Sequence, residues 1–398
     1  MKLYHLGTAD AERLEEQMLK LEVSEWGIGH MLRKGRQLIF KVTGVKTPAA
    51  LILKQELLSK GGECALGRSV ILGDPEPQSL ILMATLAQYE RVIASLREQD
   101  FGLVRLASQL EKKLIAITNP LPPLTYRTSY LEGSLNFNQP LIMGVANITP
   151  DSFYDGGRYL GLEQAVEHIW ALADQGADII DIGGASSRPG HAPVSEEEEL
   201  SRVLPVIEVV APKLQIPISI DTDKPAVALR ALQAGATIIN DISGLPPAMA
   251  KVAARTGAPI ILMHQGGGSP IIERVSDFFQ GAIVEAESLG VKRRQIILDP
   301  GLGFGKDVAE NLQLLQQLED LQAFGLPILI GLSNKRFIGA VTEQPLEQRS
   351  VGNIAATAWA LSRGAQIIRT HQPFEIAETV RMIAAIQNGG RGYEGKQE

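Results

Sequence analysis

The sequence predicts an α/β protein: a (β/α)8 TIM barrel preceded by a small N-terminal α/β domain. Downstream of residue 126, eight apolar runs alternate with segments of helical periodicity. Such alternation is typical of parallel strands joined by right-handed crossovers. Eight units in about 270 residues match the size of such a barrel. An open, doubly wound sheet is the alternative, but the count of eight and the lack of G-x-G-x-x-G after the first run argue against it.

Composition places the chain among globular proteins. It has 398 residues, of which 45% are hydrophobic and 21% charged, so there is enough apolar material for a core. A net charge of −7 gives no sign of a nucleic-acid or membrane surface, and no apolar run is long enough to span a bilayer. Cys64 is the only cysteine, which excludes an internal disulfide and a thiolate metal cluster. A cytoplasmic location is therefore expected.

Residues 1–118 are predicted to form the small α/β domain. The periodicity favours helices at 10–21, 47–60 and 87–98 and strands at 37–42, 68–72 and 79–84. The second helix is expected to start with Thr47 as the cap, because Pro48 suits the first helical position. This region carries no catalytic constellation, so its role stays open.

A proline-rich stretch separates the two parts of the chain. Residues 119–124 read N-P-L-P-P-L, and three prolines in four residues neither continue a helix nor sit inside a sheet. We interpret this stretch as an extended linker. The second domain is expected to cover residues 126–398.

Each predicted barrel strand ends in polar or glycine residues. The runs lie at 141–147, 177–184, 215–222, 236–243, 258–264, 295–301, 327–334 and 365–372, and helical periodicity is clear at 162–174, 224–234, 311–321 and 353–362. The first run continues into a loop rich in Asp, Gly and Pro, so that residues 143–157 read M-G-V-A-N-I-T-P-D-S-F-Y-D-G-G. A rigid strand followed by such a loop commonly carries catalytic groups.

The strand ends supply a set of polar side chains that a barrel brings to one rim. They are Asn147, Asp181, Arg188, Asp221, Asn240, Asp241, His264, Asp299, Lys335, Arg369 and His371. Carboxylates and amides such as Asp221, Asn240 and Asp299 suit a planar, nitrogen-rich ring. Lys335, Arg369 and His371 follow the last two strands, where barrels often bind phosphate. Asn147 offers an oxygen to Mg²⁺.

Every one of these residues also has a purely structural interpretation. Asp221 and Asp299 are each as well explained, taken singly, as helix N-caps. Asn240 and Asp241 are alternatively a turn, and His264 and His371 are alternatively packed side chains. It is the convergence of so many polar groups at one rim that favours a binding site.

Several motifs, in order along the whole barrel, resemble the dihydropteroate synthase family of pterin-binding barrels. They are G-V-A-N-I-T-P-D-S-F-Y-D-G-G (144–157), D-I-G-G-A-S-S-R-P-G (181–190), S-I-D-T (219–222), I-I-N-D-I-S-G (238–244), L-M-H (262–264), D-P-G-L-G-F-G-K (299–306), G-L-S-N-K (331–335) and I-I-R-T-H (367–371). Some members of that family are similar in carrying an N-terminal extension.

The resemblance implies condensation of 6-hydroxymethyl-7,8-dihydropterin diphosphate with p-aminobenzoate. By this likeness the pterin is held by Asp221, Asn240, Asp299 and Lys335, with Ile242, Met263 and Phe304 lining its pocket. Arg369 and His371 would bind the diphosphate, and Asn147 its Mg²⁺. The residues implied in catalysis are Asp155, Ser187, Arg188 and Lys335, with the loops at 151–157 and 184–190 closing over p-aminobenzoate. A homodimer is implied by analogy with the family.

The chain departs from the usual family pattern at a few positions. Ala185 and Ser187 replace a glutamate and a threonine, Asn334 replaces an arginine, and Arg336 and Gln372 replace a small residue and an aspartate. Two rival functions therefore stay in view. One is a pterin-binding methyltransferase that uses methyltetrahydrofolate, against which the R-T-H and N-I-T-P-D-S-F motifs argue. The other is a pterin-binding paralogue without turnover.

Overall fold

The chain forms two compact units, residues 1–119 and 120–398. The structure, a computed structural model, describes residues 11–149, 157–185, 194–387 and 389. Within these residues no helix is long and apolar enough to cross a bilayer.

The N-terminal unit is a three-stranded antiparallel sheet with helices. Its strands are β1 (Gln37–Val45), β2 (Glu63–Ala65) and β3 (Gln78–Thr85), in the order β1-β3-β2. Its helices are α1 (Ala11–Lys20), α2 (Glu25–Gly35), α3 (Thr47–Ser59), α4 (Arg68–Ile71), α5 (Leu86–Leu96) and α6 (Leu103–Thr118). Alternate residues of β3 and the apolar faces of α3, α5 and α6 form one core, which includes Leu53, Leu82 and Tyr89.

Two local predictions in this unit were wrong. The stretch 68–72 was predicted as a strand, but residues 68–71 form the single-turn helix α4, and only Val70 is buried while Ile71 and Leu72 lie in solvent. A half-buried strand would bury alternate residues. Thr47 is the first residue of α3 and not its cap, and the cap position is Lys46. The helix α6 was not predicted, although its buried Leu103, Ala107, Leu110 and Leu114 follow helical spacing.

The second unit confirms the predicted barrel. A hairpin of β4 (Leu124–Arg127) and β5 (Glu132–Leu135) comes first. Eight parallel strands follow in the order β11-β10-β9-β8-β7-β6-β13-β12, and a bridge between Leu298 and Ile328 joins the two ends. The strands are β6 (Leu141–Asn147), β7 (Ile179–Gly183), β8 (Ile218–Asp221), β9 (Ile238–Asp241), β10 (Ile260–Met263), β11 (Ile296–Asp299), β12 (Leu329–Gly331) and β13 (Ile367–Thr370).

Helices follow the strands as a (β/α)8 barrel requires. They are α7 (Gly157–Asp174), α8 (Glu196–Val210), α9 (Pro225–Ala234), α10 (Pro247–Thr256), α11 (Ile271–Ser288), α12 (Val308–Gln316), α13 (Arg336–Thr342), α14 (Ser350–Ser362) and α15 (Pro373–Gln387). Short 3₁₀ helices lie at Arg293–Gln295, Leu318–Phe324 and Leu346–Gln348. Outward-facing strand residues such as Ile180 and Ile239 pack on these helices.

The barrel interior changes from apolar to polar along the strands. One buried cluster contains Met143, Ile179, Ile238, Ile261, Ile297, Leu329 and Ile367, together with Leu124 and Leu135 of the hairpin. Side chains alternate between the two faces of a strand, so the residues two positions later also face inward. Those residues include Asp181, Asn240, Met263, Asp299 and Arg369, and this alternation places the polar layer at the C-terminal end of the barrel.

Candidate active site

One pocket at the C-terminal ends of the strands collects most of the predicted site residues. It is lined by Asp221, Asn240, Ile242, Met263, Asp299, Leu302, Phe304, Gly331, Lys335 and Arg369. Eight of these were selected from the sequence; Leu302 and Gly331 were not. The convergence that favoured a binding site over isolated caps and turns is therefore present.

Arg369 connects the carboxylates of two other strands. Its Nε donates to Oδ2 of Asp181 at 2.6 Å, and its Nη2 donates to Oδ2 of Asp221 at 2.7 Å. Nδ2 of Asn240 donates to the same oxygen of Asp181 at 3.0 Å. Hydrogen bonds to charged groups in a buried setting are strong, so these four side chains form one rigid network.

Burial makes Asp221 an easily protonated carboxylate. Loss of solvent raises its pKa to about 7; the Arg369 guanidinium opposes the rise, and the nearby Asp181 charge adds to it. A carboxyl group with this pKa changes its charge near neutral pH. Ligand binding that requires the ionised form is therefore pH-dependent.

Asp299 lies at the floor of the pocket and shapes the loop that follows β11. Its Oδ1 accepts from the backbone N–H of Gly301 at 2.8 Å, and burial raises its pKa. Gly301 has a φ of +68°, and a Cβ at that position would overlap the carbonyl oxygen of His264. Only glycine fits this turn without strain.

Lys335 supplies a positive charge inside the pocket. Its Nζ lies 4.4 Å from the ring centroid of Phe304, within the range of a cation–π contact. Burial lowers its pKa to about 8, although the Asp299 charge acts in the opposite direction. Lys335 is therefore protonated at neutral pH and loses its charge just above it.

Lys306 holds the loop that carries Phe304. Its Nζ donates to the carbonyl oxygen of Gly301 at 2.9 Å and approaches those of His264 and Phe304 at 3.4 Å each. Burial lowers its pKa to about 8. The motif containing Lys306 was visible in the sequence, but only the fold shows that the lysine binds backbone carbonyls of two barrel loops.

Asn147, Ser333 and His371 form a second polar group at the same rim. The Asn147 amide nitrogen lies 3.4 Å from Nε2 of His371, and Nδ1 of His371 lies 3.2 Å from Oγ of Ser333. This arrangement directs the Asn147 amide oxygen away from the imidazole. A single neutral oxygen fits Mg²⁺ that takes its other ligands from water and substrate phosphate. No cluster of three acidic, His or Cys side chains suited to a metal occurs in the described parts of the chain.

The structural alternatives hold for some rim residues and fail for others. Asp221 is not a helix cap, since α9 is capped at Lys224, and α12 is capped by Asp307, not Asp299. Asp241 is a turn residue whose carboxylate accepts from the N–H groups of Ser243 and Leu245. His264 is a packed side chain: burial lowers its pKa to about 4, and its ring lies edge-on to Phe278 at 5.1 Å.

Three predicted catalytic residues, Asp155, Ser187 and Arg188, lie outside the described residues, as does most of the two loops that contain them. Asn334 has a φ of +60°, a left-handed conformation that asparagine adopts more readily than arginine. This preference gives the departure from the family pattern at residue 334 a local physical reason.

Comparison with known proteins identifies close relatives along the barrel. The family model described as "Pterin binding enzyme" matches residues 143–371. The dihydropteroate synthase of Bacillus subtilis is 44% identical over 261 residues, which is 64% of this chain and 91% of that protein. The Xanthomonas albilineans dihydropteroate synthase solved with 4-aminobenzoic acid is 40% identical, with a TM-score of 0.63 over 67% of this chain and 99% of that one.

A longer archaeal relative matches the N-terminal unit as well. A probable bifunctional folylpolyglutamate synthase/dihydropteroate synthase of Halobacterium salinarum is 40% identical over 403 residues. The match covers 96% of this chain but 47% of that protein. The chain thus spans about half the length of the archaeal bifunctional relatives it matches.

Proposed function

The chain belongs to the dihydropteroate synthase family of pterin-binding enzymes, and we propose that it condenses 6-hydroxymethyl-7,8-dihydropterin diphosphate with p-aminobenzoate. The products are 7,8-dihydropteroate and diphosphate. The observation that carries the proposal is the pocket at the strand ends, because acidic, amide and basic side chains from separate strands line it together. The chain is accordingly a transferase of folate biosynthesis.

The pocket has the polarity that a pterin requires. Ionised Asp221 and Asp299 accept hydrogen bonds from ring N–H and amino groups, and the Asn240 amide supplies a donor or an acceptor. The protonated Lys335 donates to the ring carbonyl oxygen. Ile242, Met263 and Phe304 enclose the flat faces of the ring. Together these groups fix the ring with its 6-methylene toward the rim.

Departure of the diphosphate is assisted by charge at the rim. The bond between the pterin methylene carbon and the diphosphate oxygen breaks, and negative charge grows on that oxygen. In this proposal Arg369 and His371 bind the leaving group, and hydrogen bonds formed as charge develops lower the barrier most. Mg²⁺, when bound through Asn147, would neutralise further phosphate charge. Ionised Asp221 stabilises the cationic ring.

The amine of p-aminobenzoate then forms the new carbon–nitrogen bond. Its nitrogen carries a lone pair at neutral pH, so positioning matters more than proton abstraction. The proton that the nitrogen loses passes to solvent or to the released diphosphate. We propose that Asp155, Ser187 and Arg188 act on this side of the site.

We further propose that the active form is a homodimer in the cytoplasm. An apolar groove lies on the outside of the barrel between α12, α13 and α14, and its lining includes Leu312, Phe337, Val341 and Trp359. Val341 and Trp359 are about half exposed. Exposed contiguous apolar surface is often an interaction site, and a second copy of the chain would supply a self-complementary cover. The single cysteine suits a reducing compartment.

Light scattering tests the dimer directly. Val341→Glu places a charge in the groove and should convert the dimer to a monomer. Val284→Glu is the matched control, because Val284 is similarly exposed on α11 outside the groove. A Val341→Glu variant that remains dimeric places the interface elsewhere.

The activity assay decides between the synthase and its rivals. Purified protein with the pterin diphosphate, p-aminobenzoate and Mg²⁺ should release diphosphate and form dihydropteroate. Pterin binding without product identifies a paralogue that has lost turnover. Methyl transfer from methyltetrahydrofolate, with no dihydropteroate formed, identifies the methyltransferase.

A further inference from the structure

We propose that Asp181 is a positioning residue of this pocket: its carboxylate orients the Asn240 amide and the Arg369 guanidinium, and so sets the polar pattern that the pterin meets. This inference rests on the proposed function, because it concerns how the same site recognises its ligand. Asp181 itself does not line the pocket. It acts through the two side chains that do.

The first support is the geometry at a single oxygen atom. Asp181 is completely buried in the middle of β7. Its Oδ2 accepts from Nδ2 of Asn240 at 3.0 Å and from Nε of Arg369 at 2.6 Å. One carboxylate oxygen thus holds a side chain from β9 and a side chain from β13.

An ionised carboxylate restricts these neighbours because it accepts hydrogen bonds and donates none. Only the NH₂ group of the Asn240 amide can face Asp181, so the amide oxygen of Asn240 is directed elsewhere. The Nε edge of Arg369 is likewise engaged, and Nη2 is held by Asp221. Nη1 is then the guanidinium nitrogen that these carboxylates leave for a bound anion.

The second support is the incomplete hydrogen bonding of Asp181. Its Oδ1 is buried and has no hydrogen bond within the described chain. A buried oxygen without a donor destabilises the fold, and a buried ion-pair network that is replaced as a whole by apolar residues often loses no stability. Packing alone therefore gives no reason for a carboxylate here, whereas orienting Asn240 and Arg369 does.

The charge of Asp181 also acts on Asp221. The charged groups facing Asp221 are Arg369 on β13, Asp181 on β7, Glu199 on α8, Asp223 just after β8 and Lys335 just after β12. The Asp181 charge helps raise the pKa of Asp221. Replacing it with a neutral side chain must lower that pKa, so the pH at which pterin affinity is lost moves downward.

The test compares Asp181→Asn and Asp181→Ala with Asp178→Asn. Asp178 precedes the same strand at its opposite end, and its Oδ2 accepts from the Ile142 N–H at 2.8 Å, so it is a matched loss of a carboxylate away from the site. Arg369 keeps Asp221 as a partner in both Asp181 variants, which favours folding. Calorimetric titration with 6-hydroxymethyl-7,8-dihydropterin between pH 5.5 and 8 measures affinity. The thermal midpoint and the synthase kcat and KM are measured beside it.

We expect Asp181→Asn to weaken pterin affinity and lower kcat/KM about 10- to 100-fold, as misplaced binding groups do. Asp181→Ala should lose more affinity than Asp181→Asn. In both variants the acid midpoint, which is the pH at which half of the pterin affinity is lost on acidification, should be lower than in the wild type. Asp178→Asn should match the wild type in affinity and midpoint.

Two results overturn the inference: wild-type affinity with an unmoved midpoint in Asp181→Asn, or a lower thermal midpoint with affinity intact, which indicates a structural role alone. A wild type that binds pterin without turnover refutes the proposed synthase activity but leaves the affinity test of Asp181 in force. A wild type that binds no pterin refutes both.

Discussion

Lys335 allows the electrostatics of the pocket to be tested with one substitution. Lys335→Met keeps the length of the side chain and removes its charge. In the wild type the Lys335 ammonium lies 4.4 Å from the centroid of the Phe304 ring. The methionine sulfur also packs well against an aromatic ring, so the variant keeps a contact with Phe304. Removing a buried cation relieves its desolvation, and the fold should remain intact.

The expected loss of pterin affinity follows from one charged hydrogen bond. Such a bond contributes about 1.5–3 kcal/mol, and every 1.4 kcal/mol is tenfold in affinity. The Lys335→Met variant should therefore bind the dihydropterin about 10- to 150-fold more weakly at pH 7.

The pH dependence gives this prediction its sign. Burial lowers the pKa of Lys335 to about 8, so the wild type loses this charge, and with it affinity, as the pH rises through 8. The pKa of Asp221 is raised to about 7, so its carboxylate is protonated, and affinity is lost, as the pH falls below 7. The wild-type profile should be a narrow bell, and Lys335→Met should lack its alkaline side.

Calorimetric titration of the dihydropterin from pH 6 to 9.5 measures both effects. Ionisation of the ligand affects both proteins equally and cancels in their difference. Lys251→Met on α10, an exposed lysine, is the control and should behave as the wild type. Two results would refute the role of the charge. One is equal pterin affinity of Lys335→Met and the wild type at pH 7, and the other is a difference in affinity that is as large at pH 9.5 as at pH 7.

Three further outcomes are expected. Gly301→Ala should lower the free energy of unfolding through left-handed strain of about 1–2 kcal/mol and a steric clash of about 1–3 kcal/mol. Gly290→Ala, whose Cβ meets Ala254 at 3.5 Å, should show the strain alone in chemical unfolding. Equal losses of unfolding free energy in the two variants would contradict the close packing at Gly301. Burial raises the pKa of the Cys64 thiol to about 11, so native protein should react with iodoacetamide at pH 8 more than about 100-fold slower than unfolded protein, and rapid native labelling would show that the site opens. Residues 120–398 expressed alone should fold and bind pterin like the full chain, because they form a compact unit; an insoluble or inert fragment would show that the first unit is integral.

Local patterns in the sequence determined the barrel and most of the residues of its pocket. Each strand appears as a short apolar run with its own polar end, and side chains on one strand face alternate sides. Ile297 and Asp299 therefore share the interior face of β11, as Ile367 and Arg369 do on β13. Chemistry at strand ends is a rule of the barrel, so Asn240 and Lys335 could be selected without coordinates.

The tertiary structure alone decided what these side chains do to one another. Asp181, Asn240 and Arg369 come from strands that are not neighbours in the sheet, and only closure of the barrel brings their atoms within hydrogen-bonding distance. The same holds for the carbonyl contacts of Lys306 and for the protonation behaviour of Asp221, which depends on burial and on charges from other strands. Helix α4 is a similar case. Its apolar residues were compatible with a strand or a helix, and only the structure shows that Ile71 and Leu72 are exposed, as they are in a single helical turn. Spacing along the chain carries no information about distances across the barrel, and those distances determine the electrostatics of the pocket.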